Sequence, residues 1–202
     1  SAEGKVFDPV NIILDNPQIQ AMAYVLEEQV FLKYQEKEFI ATLKGVSSSY
    51  NELTNFDSLL VDGNYIDSYK NNNIAVIGRG VAYYLSIGLG TVFEHLQVYV
   101  PNRSSKTLLN PQTSFKQASV LPVGIFGIQA EIDEQYIITP ISFIQNLAGR
   151  GNKISAIEIQ LYDAEEMLKI QYKLKERLGD DFIVKNRLEQ QEFLYKILNT
   201  EK

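Results

Sequence analysis

The middle third of the sequence, residues 74–140, constrains the fold more than any other stretch. It begins with a strand–turn–helix pattern, IAVIGRGVAYYLSIGLG, and continues with a strand that ends in VYVP. A polar excursion separates this strand from a second one, SVLPVGIFGIQA, and an acidic turn then leads to a last strand, YIITP. Two strands on either side of one excursion predict a long β-hairpin whose tip stands away from the body of the domain.

The segments on either side of this middle third predict a second unit, which the middle third interrupts. Before it, a short helix, VNIILDN, precedes two strands, AMAYVLEEQVFLKYQ and EFIATLKGV. After it, ISAIEIQLY alternates as a strand, Asp163 begins a helix that Gly179 ends, and a short strand, DFIVKN, is expected to follow. The predicted fold class is therefore α+β, with a discontinuous subdomain, residues 1–66 and 152–202, and an inserted subdomain, residues 67–151.

Composition argues against several functional classes. The net charge of −6 disfavours nucleic acid as a partner, because nucleic acid selects a basic face. The chain has no cysteine and one histidine, His95, so neither a thiolate metal site nor a histidine cluster is expected. The sequence also lacks the residues for nucleophilic catalysis by a cysteine or by a histidine-based triad. The sequence thus predicts no metal, no cofactor and no enzymatic activity.

Two short motifs could nevertheless carry chemistry. The GRG at residues 78–80 follows a strand, as in a dinucleotide-binding turn, but that turn needs a small residue where this chain has Tyr83. Glu131, Asp133 and Glu134 form an acidic cluster without the spacing of a calcium loop. A solvated turn between two strands is the expected structure there. A small hydrolase that uses Glu131 and Asp133 is the alternative from another functional class.

The polar excursion, residues 101–118, is the predicted functional segment. It carries basic residues and no acidic residue in a chain that is acidic overall, and it places apolar residues where a plain loop would be polar. Loops longer than ~12 residues are usually functional or disordered, so a plain surface loop is the alternative. Basic charge with apolar tips fits docking onto an acidic, partly apolar partner surface. The residues predicted to dock are Arg103, Lys106, Leu108, Leu109, Pro111, Phe115 and Lys116.

The order of these motifs resembles the extracytoplasmic domain of LolC/LolE-type permeases. These are the membrane subunits of the lipoprotein-releasing ABC transporter and belong to the broader MacB/FtsX group. The stretch VIGRGVAYYLSIGLG is similar to the family's first motif at Gly78, Leu85 and Gly90. The stretch VGIFGIQAEIDEQYIITPISFIQNL is similar to the second motif at Gly124, Phe126, Glu131 and Asp133. The chain departs from the family at Arg79, where an acidic residue is common, and at Thr91, where aspartate is usual.

The resemblance implies a split, Porter-like outer unit with a Sabre-like unit inserted, from which the hairpin at 101–118 projects as a hook. It implies a non-catalytic domain on the periplasmic side of an inner-membrane protein, with ATP hydrolysed by a separate cytoplasmic subunit. The implied partners are a LolA-like lipoprotein carrier or the lipoprotein itself, and a second permease subunit in a homodimer or heterodimer. A MacB-like efflux domain and an FtsX-like regulatory domain are the alternatives within the group.

Both ends of the sequence indicate a fragment of a longer protein. The chain begins SAEGK without a methionine. It ends in LEQQEFLYKILNTEK, which resembles the family's linker helix leading into a transmembrane segment. We therefore expect this chain to be the extracytoplasmic part of a membrane protein.

Overall fold

The computed structural model describes residues 9–68, 73–89, 94–102 and 115–190. The chain divides into two compact units, residues 1–21 with 159–202 and residues 22–158. The predicted Porter-like subdomain, residues 1–66 and 152–202, and Sabre-like subdomain, residues 67–151, have other boundaries and stay a prediction.

Helices and strands alternate irregularly along the described residues. In chain order they are α1 (Pro9–Leu14), β1 (Ile19–Tyr34), β2 (Lys37–Val46), α2 (Tyr50–Thr54), β3 (Leu60–Gly63), β4 (Ile74–Gly78), α3 (Arg79–Leu85), β5 (Leu96–Pro101), β6 (Phe115–Phe126), α4 (Ala130–Asp133), β7 (Tyr136–Pro140), α5 (Ile141–Ala148), β8 (Ala156–Leu161) and α6 (Met167–Leu178). Short 3₁₀ turns cover Phe56–Leu59, Ile66–Ser68 and Ala164–Glu166. This mixture of parallel and antiparallel strands with helices confirms the predicted α+β class.

The sheet of the larger unit closes on itself, because the strands at its two ends also pair with each other. Its strands lie in the order β2-β7-β4-β6-β5-β1, and β1 also pairs with β2, in antiparallel register from Val25↔Val46 to Tyr34↔Lys37. β4 runs parallel to β6 and antiparallel to β7. Because β1 pairs with β2 on one side and β5 on the other, these six strands form a closed circuit of hydrogen-bonded neighbours. β3 lies outside this circuit and pairs with β6.

Two hydrophobic clusters cover opposite faces of this sheet. One packs α3 and α5 against the strands and includes Leu43, Ile77 and Ile144. The other packs α2 and the 3₁₀ turn that follows it, and it includes Phe56 and Val76. Neighbouring residues of β4 therefore enter different clusters, as the two-residue period of a strand requires. All five β4 residues are buried, because helices cover both faces at this strand.

The smaller unit packs α6 against α1, and the predicted helix begins after Asp163 as the 3₁₀ turn Ala164–Glu166 that leads into α6. The Asp163 side chain accepts the Glu165 N–H at 2.8 Å, and Gly179 follows the helix with a φ of 70°. The predicted strand DFIVKN is wrong, since residues 181–186 form no strand. The buried Gln171 side chain on α6 supplies their hydrogen bonds in place of a neighbouring strand. It donates to the Val184 carbonyl at 2.9 Å and accepts from Asn186 Nδ2 at 2.8 Å.

Candidate docking site at the β5–β6 hairpin

The predicted hairpin is confirmed at its base. β5 and β6 pair in antiparallel register from Leu96↔Val120 to Pro101↔Phe115. The ladder runs further into the excursion than the sequence indicates, because β6 begins at Phe115 where Ser119 was expected. Pro101 does not prevent this pairing. It is the last residue of its strand, a position where a missing N–H donor is tolerated.

The described residues include two of the seven predicted docking residues. Phe115 and Lys116 lie at the start of β6, whereas Arg103, Lys106, Leu108, Leu109 and Pro111 lie outside the described residues. Successive side chains of a strand point to opposite faces, so Phe115 and Lys116 do not share one surface. Phe115 is about half exposed, at 49%. It is therefore the described member of the predicted set that is available to a partner.

Lys116 instead faces the body of the larger unit. It pairs with Val100, a core residue, and its Nζ lies 2.6 Å from the position that a Cβ on Gly149 would occupy. Gly149 follows α5 with a φ of 65°, in the left-handed conformation typical of a helix C-terminus. A cation at this end of a helix is stabilised by the negative end of the helix dipole. Lys116 is thus suited to supporting α5.

Strand register brings a row of side chains onto the face that Phe115 shares. Ile40 on β2 is opposite Phe31 on β1, Phe31 is opposite Tyr99 on β5, and Tyr99 is opposite Gln117 on β6. The Phe31 and Tyr99 rings meet edge to face with centroids 5.7 Å apart, and Ile40 is 68% exposed. We name Ile40, Phe31, Tyr99 and Phe115 the outer stripe.

Polar groups with little net charge border the outer stripe. Gln97 Oε1 accepts hydrogen bonds from Gln117 Nε2 and Ser119 Oγ, both at 2.9 Å. Lys33 and Glu38 form an exposed ion pair at 3.9 Å. The outer stripe therefore offers aromatic and aliphatic contact area, which suits docking of an apolar surface. Sequence reasoning found only Phe115 of this stripe, because the other three residues come from strands whose register the sequence does not reveal.

Asp133 corrects the expectation of a solvated acidic turn. Its side chain is buried, and Oδ1 accepts the Ile128 N–H at 2.7 Å. Oδ2 lies 3.4 Å from Nη2 of Arg79, whose own side chain is mostly exposed. Asp133 thus fixes the turn between β6 and α4, a structural role that needs no catalytic partner. Among the described residues, no three potential metal ligands of the His, Cys, Asp and Glu types come together.

Gly78 and Gly80 explain how Asp133 is brought so close to β4. A Cβ on Gly78 would lie 2.3 Å from the Asp133 carbonyl oxygen, and a Cβ on Gly80 would lie 2.9 Å from Glu134 Cα. The absence of side chains at these glycines therefore lets α4 pack directly on the end of β4 and the start of α3. The GRG motif serves this packing, and the contact joins the two stretches that carry the family resemblance.

Comparison with known proteins supports the same architecture. No protein-family model matches the sequence, and no curated protein matches it. The fold is similar to that of two solved extracytoplasmic domains. The periplasmic region of MacB from Actinobacillus actinomycetemcomitans is similar over 93% of this chain and 81% of its own, with a TM-score of 0.60 and 14% identity. The extracellular domain of the noncanonical ABC-type transporter YknZ from Gram-positive bacteria is similar over 85% of this chain and 82% of its own, with a TM-score of 0.56 and 14% identity.

The described helices are all too short or too polar to cross a bilayer.

Proposed function

We propose that this chain is the extracytoplasmic domain of an ABC transporter permease and has no catalytic activity of its own. The fold shared with the MacB and YknZ domains supports this proposal. The domain would lie on the periplasmic side of the inner membrane and pair with a second permease subunit. ATP would be hydrolysed by a separate cytoplasmic subunit. Asp133, the residue best placed for an alternative hydrolase, is occupied with holding the Ile128 backbone and Arg79.

At a finer level, we propose a LolC/LolE-type role in which the β5–β6 hairpin docks a LolA-like lipoprotein carrier, or the domain receives the lipoprotein itself. The observation that supports this role is the outer stripe, which places Phe115 in line with aromatic and aliphatic side chains at the hairpin base. Basic residues of the excursion, Arg103 and Lys106, would add electrostatic attraction to an acidic carrier. Apolar contact would then supply most of the affinity, and charge would speed the encounter.

The test is a titration of this domain with a LolA-like carrier at low and high salt. A variant that replaces residues 103–114 with a short turn keeps the Pro101–Phe115 pair, and Phe115→Ser alters the outer stripe alone. We expect the first variant to abolish binding and the second to weaken it about tenfold, which is the scale of a buried aromatic contact. Binding by the unaltered domain is expected to weaken as salt rises.

A matched control separates local from general charge effects. Arg103→Gln with Lys106→Gln is compared with Lys153→Gln and Lys173→Gln, two exposed residues distant in sequence from the hairpin. Only the first pair is expected to weaken carrier binding. Undiminished affinity in the variant without residues 103–114, with the domain still folded, would rule out carrier docking by the hairpin.

The similarity to MacB favours a second candidate, an efflux domain that contacts an adaptor protein. Such a domain would bind its adaptor over a broad surface, so loss of residues 103–114 would have little effect on adaptor binding. Affinities for the carrier and for the adaptor, each measured with the unaltered domain and with the variant without residues 103–114, therefore distinguish the two candidates.

A further inference from the structure

The helix α6 carries two lengthwise rows of side chains, and only one of them is buried. The buried row contains Ile170, Leu174 and Leu178. The second row begins in the 3₁₀ turn that leads into α6, and its members follow one another at intervals of three, four and three residues. This spacing places side chains along one face of a helix. We name this second row the α6 stripe, and it consists of Glu165, Leu168, Tyr172 and Lys175.

The centre of the α6 stripe is an exposed apolar surface. The Leu168 and Tyr172 side chains are 65% and 69% exposed, and they lie one helical turn apart, so they are direct neighbours. Single exposed apolar residues are common, whereas adjacent ones form a surface that a partner can cover. Tyrosine is also among the residue types that contribute most to protein interfaces. The centre of the stripe is therefore suited to protein contact.

The two ends of the α6 stripe carry opposite charges. Glu165 is exposed and forms no ion pair within the part of the chain that the structure describes. Lys175 lies 3.8 Å from Glu189, and both side chains are about half exposed, so this pair holds Lys175 only weakly. Along the helix, the stripe is thus acidic, apolar, apolar and basic.

This order of residues is complementary to itself when two copies of α6 meet in antiparallel orientation. Across a two-fold axis every contact is made twice, with the two residues exchanged between the copies. Leu168 of one copy then meets Tyr172 of the other, and Glu165 meets Lys175. A parallel arrangement would instead place like charges opposite each other. We propose that the α6 stripe docks a second copy of this chain, with the two α6 helices antiparallel.

This inference rests on the proposed permease function and deepens it, because it locates a contact between two permease subunits. A contact along about three helical turns buries less than the roughly 800 Å² per partner of a standard stable interface. The affinity between separate domains is therefore expected to be low, with a Kd of about 0.1–1 mM. Two domains held in one transporter would have an effective concentration in the millimolar range, which is sufficient to favour this contact.

The test is sedimentation equilibrium of the domain at low salt and at concentrations up to about 1 mM. We expect the unaltered domain to form dimers within this range and Tyr172→Ser to stay monomeric. Tyr83→Ser is the matched control, because Tyr83 is an exposed tyrosine of the larger unit, outside the stripe. It should associate as the unaltered domain does. An unaltered domain that is monomeric throughout, or equal weakening in the two tyrosine variants, would overturn the proposal.

Exchange of the charges tests the pairing of the two ends. Glu165→Lys and Lys175→Glu should each abolish self-association, because each variant places like charges opposite each other at both ends of the contact. An equimolar mixture of the two variants should associate again, since every lysine of one copy then meets a glutamate of the other. Recovery in the mixture would also show that both variants are folded. A mixture that stays monomeric would contradict the predicted pairs.

The dimer and the proposed function can fail separately, because the carrier titration concerns residues 103–114 and not the α6 stripe. A domain that binds a carrier or an adaptor but stays monomeric up to about 1 mM would overturn the α6 contact and support the permease function. A domain that pairs through the stripe but binds neither protein would support the contact and count against that function.

Discussion

Gly78 lies where β4 and α4 meet with no space for a side chain. A Cβ there would lie 2.3 Å from the Asp133 carbonyl oxygen and 2.8 Å from the Tyr136 carbonyl oxygen, and both are backbone atoms that cannot rotate away. We expect Gly78→Ala to lower the free energy of unfolding by about 1–3 kcal/mol, as for other overpacked sites. Denaturant unfolding measures this change. Gly88→Ala is the control, because a Cβ on Gly88 meets nothing within 4 Å, and equal losses in the two variants would contradict this account.

The sequence identified Gly78 and Asp133 as motif residues but not their physical roles. Asp133 appeared in an acidic stretch, EIDEQ, for which solvent exposure is the ordinary expectation. Its burial depends on the Ile128 N–H, a backbone donor that is only positioned once β6 ends and the chain turns. Lys116 likewise appeared as part of a basic loop. Its position beside Gly149 depends on the packing of α5, which no local pattern encodes.

At the scale of elements, Lys44 links neighbouring strands through a semi-buried cluster of charges. Its Nζ lies 2.6 Å from Glu158 Oε1 on β8 and 3.7 Å from Glu27 Oε1 on β1, and 5.1 Å from the centroid of the Tyr50 ring. Lys44→Met leaves the two carboxylates without their cation. We expect a loss of about 2 kcal/mol in the free energy of unfolding, below the value for fully buried pairs because both carboxylates are partly exposed.

Lys33→Met is the matched control, because Lys33 on β1 forms an ion pair with Glu38 on β2 that is exposed to solvent. Exposed pairs contribute about 0–1 kcal/mol, so this variant should change stability little. Equal losses in the two lysine variants would show that burial of the Lys44 cluster is unimportant.

The pH dependence of the Lys44 contribution follows from its raised pKa. Burial alone would lower the pKa of Lys44, but attraction from Tyr50, Glu158 and Glu27 outweighs it. A group whose pKa is higher in the folded state stabilises fully below its unfolded pKa, 10.5 for lysine, and loses that contribution as pH rises further. The stability difference between the unaltered protein and Lys44→Met should thus be constant between about pH 6 and pH 9 and shrink above pH 10.5. A difference that already shrinks near neutral pH would contradict a raised pKa.

Strands and helices with a strong sequence pattern of their own could be predicted. Those that depend on hydrogen-bonding partners elsewhere in the chain could not. The alternation of β2 fixes that strand locally, and the Asp163 cap of the preceding 3₁₀ turn and the Gly179 end fix α6. The start of β6 is polar and became a strand because β5 supplies its hydrogen bonds. Residues 181–186 have the sequence pattern of a strand, but the Gln171 side chain binds the Val184 carbonyl and Asn186 instead. The structure of the start of β6 and of residues 181–186 was thus decided by hydrogen-bonding groups in other parts of the chain.

At the scale of the whole molecule, closure of the sheet assembles the outer stripe. The register that brings Ile40, Phe31 and Tyr99 into one row spans three strands from separate parts of the sequence. The hairpin itself could be predicted, because its two strands are consecutive in the chain. The row on its outward surface could not be predicted, since a one-residue change of register on any strand would turn that strand's member of the row inward.

Burial of Asp67 and repulsion from the carboxylates beside it should oppose folding of the domain at neutral pH. The pKa of Asp67 is raised by burial and by Asp57 and Glu52, so the folded state favours its protonated form. Its stabilising contribution is therefore complete below the unfolded pKa of 3.8 and is lost as pH rises through the folded value. Asp67→Asn keeps the neutral form at every pH. We expect it to raise the unfolding temperature at pH 7 by roughly 2 °C.

Acid should remove this gain, because Asp67 is then protonated in the folded and in the unfolded chain, and salt should reduce it by screening the charges of Asp57 and Glu52. Thermal unfolding at low and high salt, and at pH 7 and below pH 4, measures the effect. Asp180→Asn, at an exposed residue of the smaller unit, shows how much the loss of one negative charge alone contributes. A destabilised Asp67→Asn domain at pH 7 would mean that the Asp67 carboxylate has a favourable cationic partner.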